Sequence, residues 1–288
     1  MSDLEVCPFD APLGAEIRGV DISKPLTPSA VETIRTAWHD HLVLLFRDQD
    51  MSDAQHFAFT AQFGTLDYPP ELLLAIAAGE VRVEDEPMAI NVISNVIENG
   101  KPIGVLGNGE AFWHSDSTFV EIPPAASLLR SLEVPDSGGD TYFMNMYQAL
   151  ETLPDELRQA IKGKSSKHDA AYSSSGKRRP QFTELDPSKS AGPIHPLERT
   201  HPDTGRKSLY LGRRLGSYIV GLPLDESEDL LDRIWDHITE GDFIWAQQWR
   251  VGDLVWWDNR CAMHRRDAFD PNVRRTMHRT QLAGDRPY

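Results

Sequence analysis

His114-Ser115-Asp116 places an imidazole and a carboxylate two positions apart, and a second imidazole, His264, follows far downstream, beyond Trp257-Asp258-Asn259-Arg260. Two histidines and one carboxylate form the set that holds one face of Fe(II) and leaves three coordination positions open. Open positions admit a cosubstrate and oxygen. The pattern therefore predicts an iron-dependent oxygenase with His114, Asp116 and His264 as ligands. On a strand, side chains two apart point to the same side. Phe112 and Trp113 before the triplet, and Thr118, Phe119 and Val120 after it, favour an extended conformation through the whole stretch. His264 then closes the triad from a second strand or strand end.

A His-x-Asp triplet also arises by chance in a chain with ten histidines, and this chain carries a decoy, His201-Pro202-Asp203. The decoy lies among turn formers, Thr200 to Gly205, and Pro202 lacks a strand donor. It reads as a surface hairpin loop. Taken singly, His114 also fits a hydrogen-bonded core histidine, Asp116 a turn cap, and His264 an exposed member of the basic run His264-Arg265-Arg266. Arg275 and Arg279 are four apart, which puts both on one face of a strand. A planar guanidinium suits a carboxylate or sulfonate through paired hydrogen bonds. The ordinary alternative for Arg279 is a surface ion pair.

The elements that must position these groups are mostly strands. Gly14 to Asp21 alternates as a half-buried strand does, and Leu42-Val43-Leu44-Leu45-Phe46 reads as a buried one. Further strands are expected over 89–96, 125–134 and 141–143, and near 207–211, 242–248, 253–257 and 275–281. Helices are predicted over 30–41, from 51 to about 64, over 71–78, 146–153 and 154–161, and over 225–239. The last has Leu230, Leu231, Ile234, Trp235 and Ile238 as its apolar stripe. Many strands with flanking helices predict a mostly β fold, a distorted double-stranded β-helix or jelly roll, as one domain over 1–288. The irregular stretch 67–111, just before a metal ligand, reads as an active-site lid, and the polar stretch 172–193 as a mobile loop.

Composition narrows the classes. Length and a 40% hydrophobic content suit one globular domain of 288 residues. The formal net charge of −15 argues against a nucleic-acid partner, which requires a basic footprint. No apolar run approaches the roughly 20 residues that cross a bilayer. The N-terminal residues lack a signal-peptide pattern, and two scattered cysteines, Cys7 and Cys261, make neither a disulfide framework nor a zinc site. A cytoplasmic protein with a small-molecule substrate is expected.

The chain resembles the taurine dioxygenase and 2,4-dichlorophenoxyacetate dioxygenase family of Fe(II)- and 2-oxoglutarate-dependent oxygenases. The matching segments run nearly end to end. They include Gly14 to Asp21, Phe63-Gly64, Trp113 to Asp116, Pro123-Pro124, Gly138 to Thr141, His195-Pro196, Arg199 to Pro202, Trp257 to Arg260, His264 and Arg275 to Arg279. The resemblance implies that His114, Asp116 and His264 bind iron and that Arg275 pairs with the distal carboxylate of 2-oxoglutarate, supported by Thr141. It implies that Arg279 receives the substrate's acid group. Molecular oxygen is then consumed as 2-oxoglutarate is decarboxylated to succinate and the substrate is hydroxylated. An aspartate at 116, where related halogenases carry a small residue, points to hydroxylation. A homo-oligomer is implied in the same way.

Two departures bear on the substrate. The taurine enzyme has a substrate-binding histidine soon after its Phe-Gly pair, whereas Phe63-Gly64 is followed by Thr65-Leu66-Asp67-Tyr68-Pro69-Pro70. An asparagine four residues before the first ligand is replaced by Glu110, which opens an alternative, an amino-bearing substrate whose cation Glu110 meets. Two rivals of another class also stand: a non-catalytic jelly-roll module that keeps the metal as a brace, and a zinc hydrolase with the same ligands. Structural metal sites fill their coordination with protein ligands. A hydrolase has no evident use for Arg275 and Thr141 together.

Overall fold

The central strand Leu254–Asp258 is buried at every position, so its two faces must both be covered. Its side chains alternate between two cores. Leu254 and Trp256 pack with Ile34, Trp38, Phe59 and Phe63 of two helical segments. Val255 and Trp257 pack with Phe143 and Met277 in a second cluster. The period of two along the strand thus sorts one apolar run into two layers.

This computed structural model describes residues 4–68, 90–104 and 109–288. The larger sheet runs Glu5–Pro8, Ala15–Arg18, Val43–Phe46, Leu254–Asp258, Ala126–Glu133, Thr276–Leu282. Leu66–Asp67 and Asn91–Ser94 both pair with Thr276–Leu282, at opposite ends of it. The smaller sheet runs Ile244–Gln247, Thr141–Asn145, Ala262–Arg266, Ala111–His114. Phe143 on the smaller sheet and Val43, Leu129, Val255 and Met277 on the larger share one apolar cluster, so the sheets stack face to face. This is the expected jelly roll.

Helices cover the outer faces. Pro28–His41 is capped by Thr27, whose hydroxyl accepts from Ala30 N, and it buries Ile34, Ala37 and Trp38 against the larger sheet. Asp53–Ala61 starts with a Ser52/Gln55 capping box. Leu224–Glu240 buries all five residues of its expected stripe against the smaller sheet. The expected helix at 71–78 lies outside the described residues. The described part of 67–111 holds three short strands, Asn91–Ser94, Ile97–Glu98 and Lys101–Pro102.

Two local expectations are corrected. The extended stretch ends at His114, and residues 116–119 form a turn with Ser117 at φ 50°. Second, His201 of the decoy triplet is buried. The hairpin itself is there, with Glu198–Thr200 pairing Lys207–Leu209. Its histidine, however, points inward to Asp258, with Nε2 donating to Oδ2 at 3.0 Å.

Candidate active site

Two side chains from one short stretch, His114 and Asp116, meet the remote His264 at the edge of the smaller sheet. His114 ends the edge strand and stands directly opposite His264 in the ladder. Their rings lie side by side, centroids 4.2 Å apart. The turn after His114 then carries Asp116 back across the pair, with Oδ1 3.7 Å from His114 Nε2 and 3.8 Å from His264 Nε2. A strand geometry would have put Asp116 alongside His114 on one line. The turn instead lets one carboxylate face both imidazoles.

That turn is held from several sides. Ser115 N–H donates to Gly212 O at 3.1 Å, and its hydroxyl donates to Ala262 O at 3.1 Å. His195 Nε2 donates to Thr118 O at 2.9 Å and to Val120 O at 3.2 Å. Asp116 Oδ2 accepts from Ser127 Oγ at 2.6 Å and from Gln281 Nε2 at 3.4 Å. Ser127 in turn accepts from Asn259 Nδ2, whose Oδ1 accepts from the Trp257 indole at 2.8 Å. Ser127 pairs with both Trp257 and Gln281 in the larger sheet. A hydroxyl on that inner face is explained by the carboxylate it serves.

The chemistry of the donor set fits a divalent iron. His114 Nδ1 donates to Phe112 O at 2.7 Å, which fixes the tautomer and leaves the Nε2 lone pair facing Asp116. Burial pushes the His114 pKa down to about 3, the nearby His264 pushes it further down, and Asp116 opposes them. Burial also lowers His264. Both rings are therefore neutral, as ligands must be. Burial alone would raise Asp116, but Arg279 and the two histidines hold it well below the usual carboxylate range. The three candidate ligand atoms lie within 4.8 Å of one another, near enough for one divalent ion to draw them together. Asp116 completes a facial triad and leaves the opposite face free of protein ligands among the described residues.

Arg275 and Arg279 sit on the inner face of the larger sheet, as their spacing predicts. Arg275 is 1% exposed, its backbone fastened to Asn95, and its Nε finds no partner among the described residues. Burial, and then Arg266, pull its pKa down to about 9. Gly139 lies against its Nε, and both Arg266 and Arg275 approach the Phe269 ring. Thr141 is buried opposite Arg266 and accepts from the Trp249 indole at 3.0 Å. The result is a buried cationic cradle beside a hydroxyl. Arg279 donates to both oxygens of Asp116, at 3.3 and 3.2 Å. Glu110 is exposed just ahead of Ala111–His114, outside this buried group.

A second cluster, His201, Asp258 and Cys261, also brings candidate ligand atoms together. Its carboxylate is already filled. Arg260 donates to both Asp258 oxygens, at 2.9 and 2.7 Å, and His201 takes another lone pair. Asp203 pairs with the far side of Arg260 at 2.6 Å. This ion network shapes the turn that launches Ala262–Arg266, the strand of His264. Sequence reasoning singled out the three side chains that meet here and both arginines. It missed Ser127, Gln281 and Asn259, for which no motif signals a role, and Arg266, legible only as part of a basic run.

Fold and site together define an Fe(II)-dependent oxygenase with a facial triad. A family model described as Taurine catabolism dioxygenase TauD, TfdA family matches residues 5–281, and the chain belongs to that family. It is 32% identical over 289 residues to the alpha-ketoglutarate-dependent 2,4-dichlorophenoxyacetate dioxygenase of Cupriavidus pinatubonensis, covering 96% of this chain and 97% of that one. Its fold matches a taurine dioxygenase from Burkholderia xenovorans with a TM-score of 0.76 and 34% identity, over 99% and 92% of the two chains. It also matches AAD-2, a structure in complex with Mn(II) and N-oxalylglycine, with a TM-score of 0.79 and 30% identity, over 99% of each chain. The protein is an enzyme that uses Fe(II), 2-oxoglutarate and molecular oxygen. No helix among the described residues is long and apolar enough to cross a membrane.

Proposed function

We propose that this dioxygenase hydroxylates a small anionic organic substrate, a carboxylate or sulfonate, whose acid group is received by Arg279. The observation that carries the reading is the Arg279–Asp116 pair at 3.2 Å. Asp116 gives its charge to the metal when iron binds, and the half-buried guanidinium beside it is then free for an anion at the open face. The relatives' names support the class: 2,4-dichlorophenoxyacetate carries a carboxylate and taurine a sulfonate.

The division of labour follows from the residues. Fe(II), 2-oxoglutarate and oxygen, once bound, supply the oxidation, in which substrate C–H becomes C–OH while 2-oxoglutarate gives succinate and carbon dioxide. His114, Asp116 and His264 hold the metal on one face. Arg275 pairs its buried charge with the distal carboxylate of 2-oxoglutarate, and Thr141, oriented by Trp249, donates its hydroxyl to that cosubstrate. Arg279 orients the substrate so that one carbon faces the metal. The lid reading of residues 67–111 rests on their place immediately before His114. Residues 172–193 flank the same strand, since Ser174 O accepts Phe112 N–H at 2.8 Å. A homo-oligomer and a cytoplasmic setting belong to the same reading, and light scattering tests the former.

The test is succinate release from 2-oxoglutarate with Fe(II), ascorbate and oxygen across a panel of sulfonates, aryloxy acids and amines. The expected result is stimulation by one anionic class, abolished in His114→Ala. Stimulation by amines alone would overturn the substrate reading.

A further inference from the structure

A second buried arginine approaches the triad from another side. Gly212 O accepts the N–H of Ser115, the residue between two iron ligands, so Arg213 is delivered to the rim of the site. Arg213 is 8% exposed. Its guanidinium lies over the Phe119 ring, three residues beyond Asp116, and it donates to Tyr172 O. Its Nε is buried and finds no partner among the described residues. Asp116 and Asp169 are the carboxylates whose charge reaches it, and it forms no ion pair with either. Burial pulls its pKa down to about 10, which leaves it a cation at neutral pH. A buried cation with no ion pair among the described residues is costly, and such groups are kept where a ligand supplies the charge.

The two guanidinia differ in what they face. Arg279 bonds Asp116 directly, whereas Arg213 lies over the Phe119 ring beyond it. Arg213 also lines a cavity of about 340 Å³ whose other walls include Phe112, Trp113, Leu215 and Trp235. The backbone next to Arg213 bonds Ser115, and the strand that carries Phe112 and Trp113 ends at His114, so this apolar cavity adjoins the metal site.

We propose that the substrate carries two acid groups joined by an apolar body, with Arg279 receiving one and Arg213 the other across the open face of the iron. This rests on the reading of Arg279 as the substrate anchor. With the apolar cavity at Arg213, two fixed charges also select by length, since only a body of matching span engages both.

The experiment uses the full chain loaded with Fe(II) and 2-oxoglutarate under argon. Calorimetry compares α,ω-dicarboxylates of C6 to C12 with monocarboxylates of the same length. At one chain length or more, the diacid is expected to bind about tenfold more tightly than its monoacid. In Arg213→Gln that ratio falls to about one. Arg213→Lys, which keeps the charge but not the fork, retains part of it. Retained binding of Fe(II) and 2-oxoglutarate shows that each variant is folded, and the lysine variant carries the test if the glutamine variant is not. No diacid advantage at any length in the wild type, or an advantage that survives Arg213→Gln, overturns the proposal. A monoacid that loses affinity in Arg279→Gln while no diacid advantage exists sinks this proposal alone. Acid binding indifferent to Arg279→Gln sinks the parent reading instead.

Discussion

Ser127 Oγ donates to Asp116 Oδ2 at 2.6 Å, tying the one carboxylate of the triad to the middle of the larger sheet. The bond matters because Asp116 sits in a turn, where the backbone alone does not fix its side chain. Outer hydrogen bonds of this kind raise metal affinity by about 10–100-fold. Ser127→Ala is expected to weaken Fe(II) binding about tenfold while leaving far-UV circular dichroism unchanged. A competition titration against a chelator measures it, and an unaltered affinity would show that the hydroxyl does not hold the ligand.

Arg275 bears a buried charge whose Nε has no partner and which forms no ion pair among the described residues. Replacement by an apolar residue of similar length should therefore cost the ligand-free protein little or even stabilise it. Arg275→Met is expected to keep or raise the melting temperature and to raise the KM for 2-oxoglutarate by roughly 30-fold or more. In the wild type, 2-oxoglutarate at a hundred times its Kd adds about 2.7 kcal/mol of stability. The variant should lose most of that gain. Thermal melts with and without 2-oxoglutarate check both halves, and a variant that melts early in both would assign Arg275 a structural role.

Breaking the Asp258–Arg260–His201 network should act on stability first. Asp258 is fully buried and accepts from Arg260 and His201 together. Asp258→Asn leaves Arg260 buried beside a neutral amide, which should cost about 3 kcal/mol in urea denaturation. If a second metal were needed here, chelation of a folded sample would reproduce the loss. The saturated carboxylate predicts that it does not.

Acid should destabilise the protein well above the carboxylate range. His56 is fully buried with Nε2 bonded to Thr280 Oγ1, and burial pushes its pKa from 6.5 down to about 3. Between those values the unfolded chain binds a proton that the folded one refuses, so stability is complete above 6.5 and falls as pH drops toward 3. The slope is up to about 1.4 kcal/mol per pH unit for this one group. His168 and His195 are lowered by burial in the same direction. Urea midpoints between pH 4 and 8 test this, and His56→Gln should flatten the slope.

Much of the molecule is legible without coordinates. The capping residues of Pro28–His41 and Asp53–Ala61, the stripe of Leu224–Glu240 and the alternation of the strands depend on neighbours within a few positions, where the local pattern carries the signal. The triplet His114-Ser115-Asp116 was likewise readable, but its shape was not. Aromatic and β-branched neighbours favour a strand, and the turn at 116–119 prevails because His195, Gly212 and Ala262 bond to its backbone and to Ser115 from distant parts of the chain. The same limit explains His201, whose turn-rich setting suggests the surface while Asp258 draws it inside.

By itself, then, the order of residue types pointed to a candidate donor set and to the pair Arg275 and Arg279, because ligand chemistry belongs to side chains and face-sharing to local periodicity. Only the tertiary structure decided that His114 and His264 are cross-strand partners, that Asp116 crosses the pair and leans on Ser127, and that Arg213 is a buried cation at the rim. Each of those facts rests on burial and on contacts between residues remote in the chain, and a charge has no partner to read until the fold removes it from water.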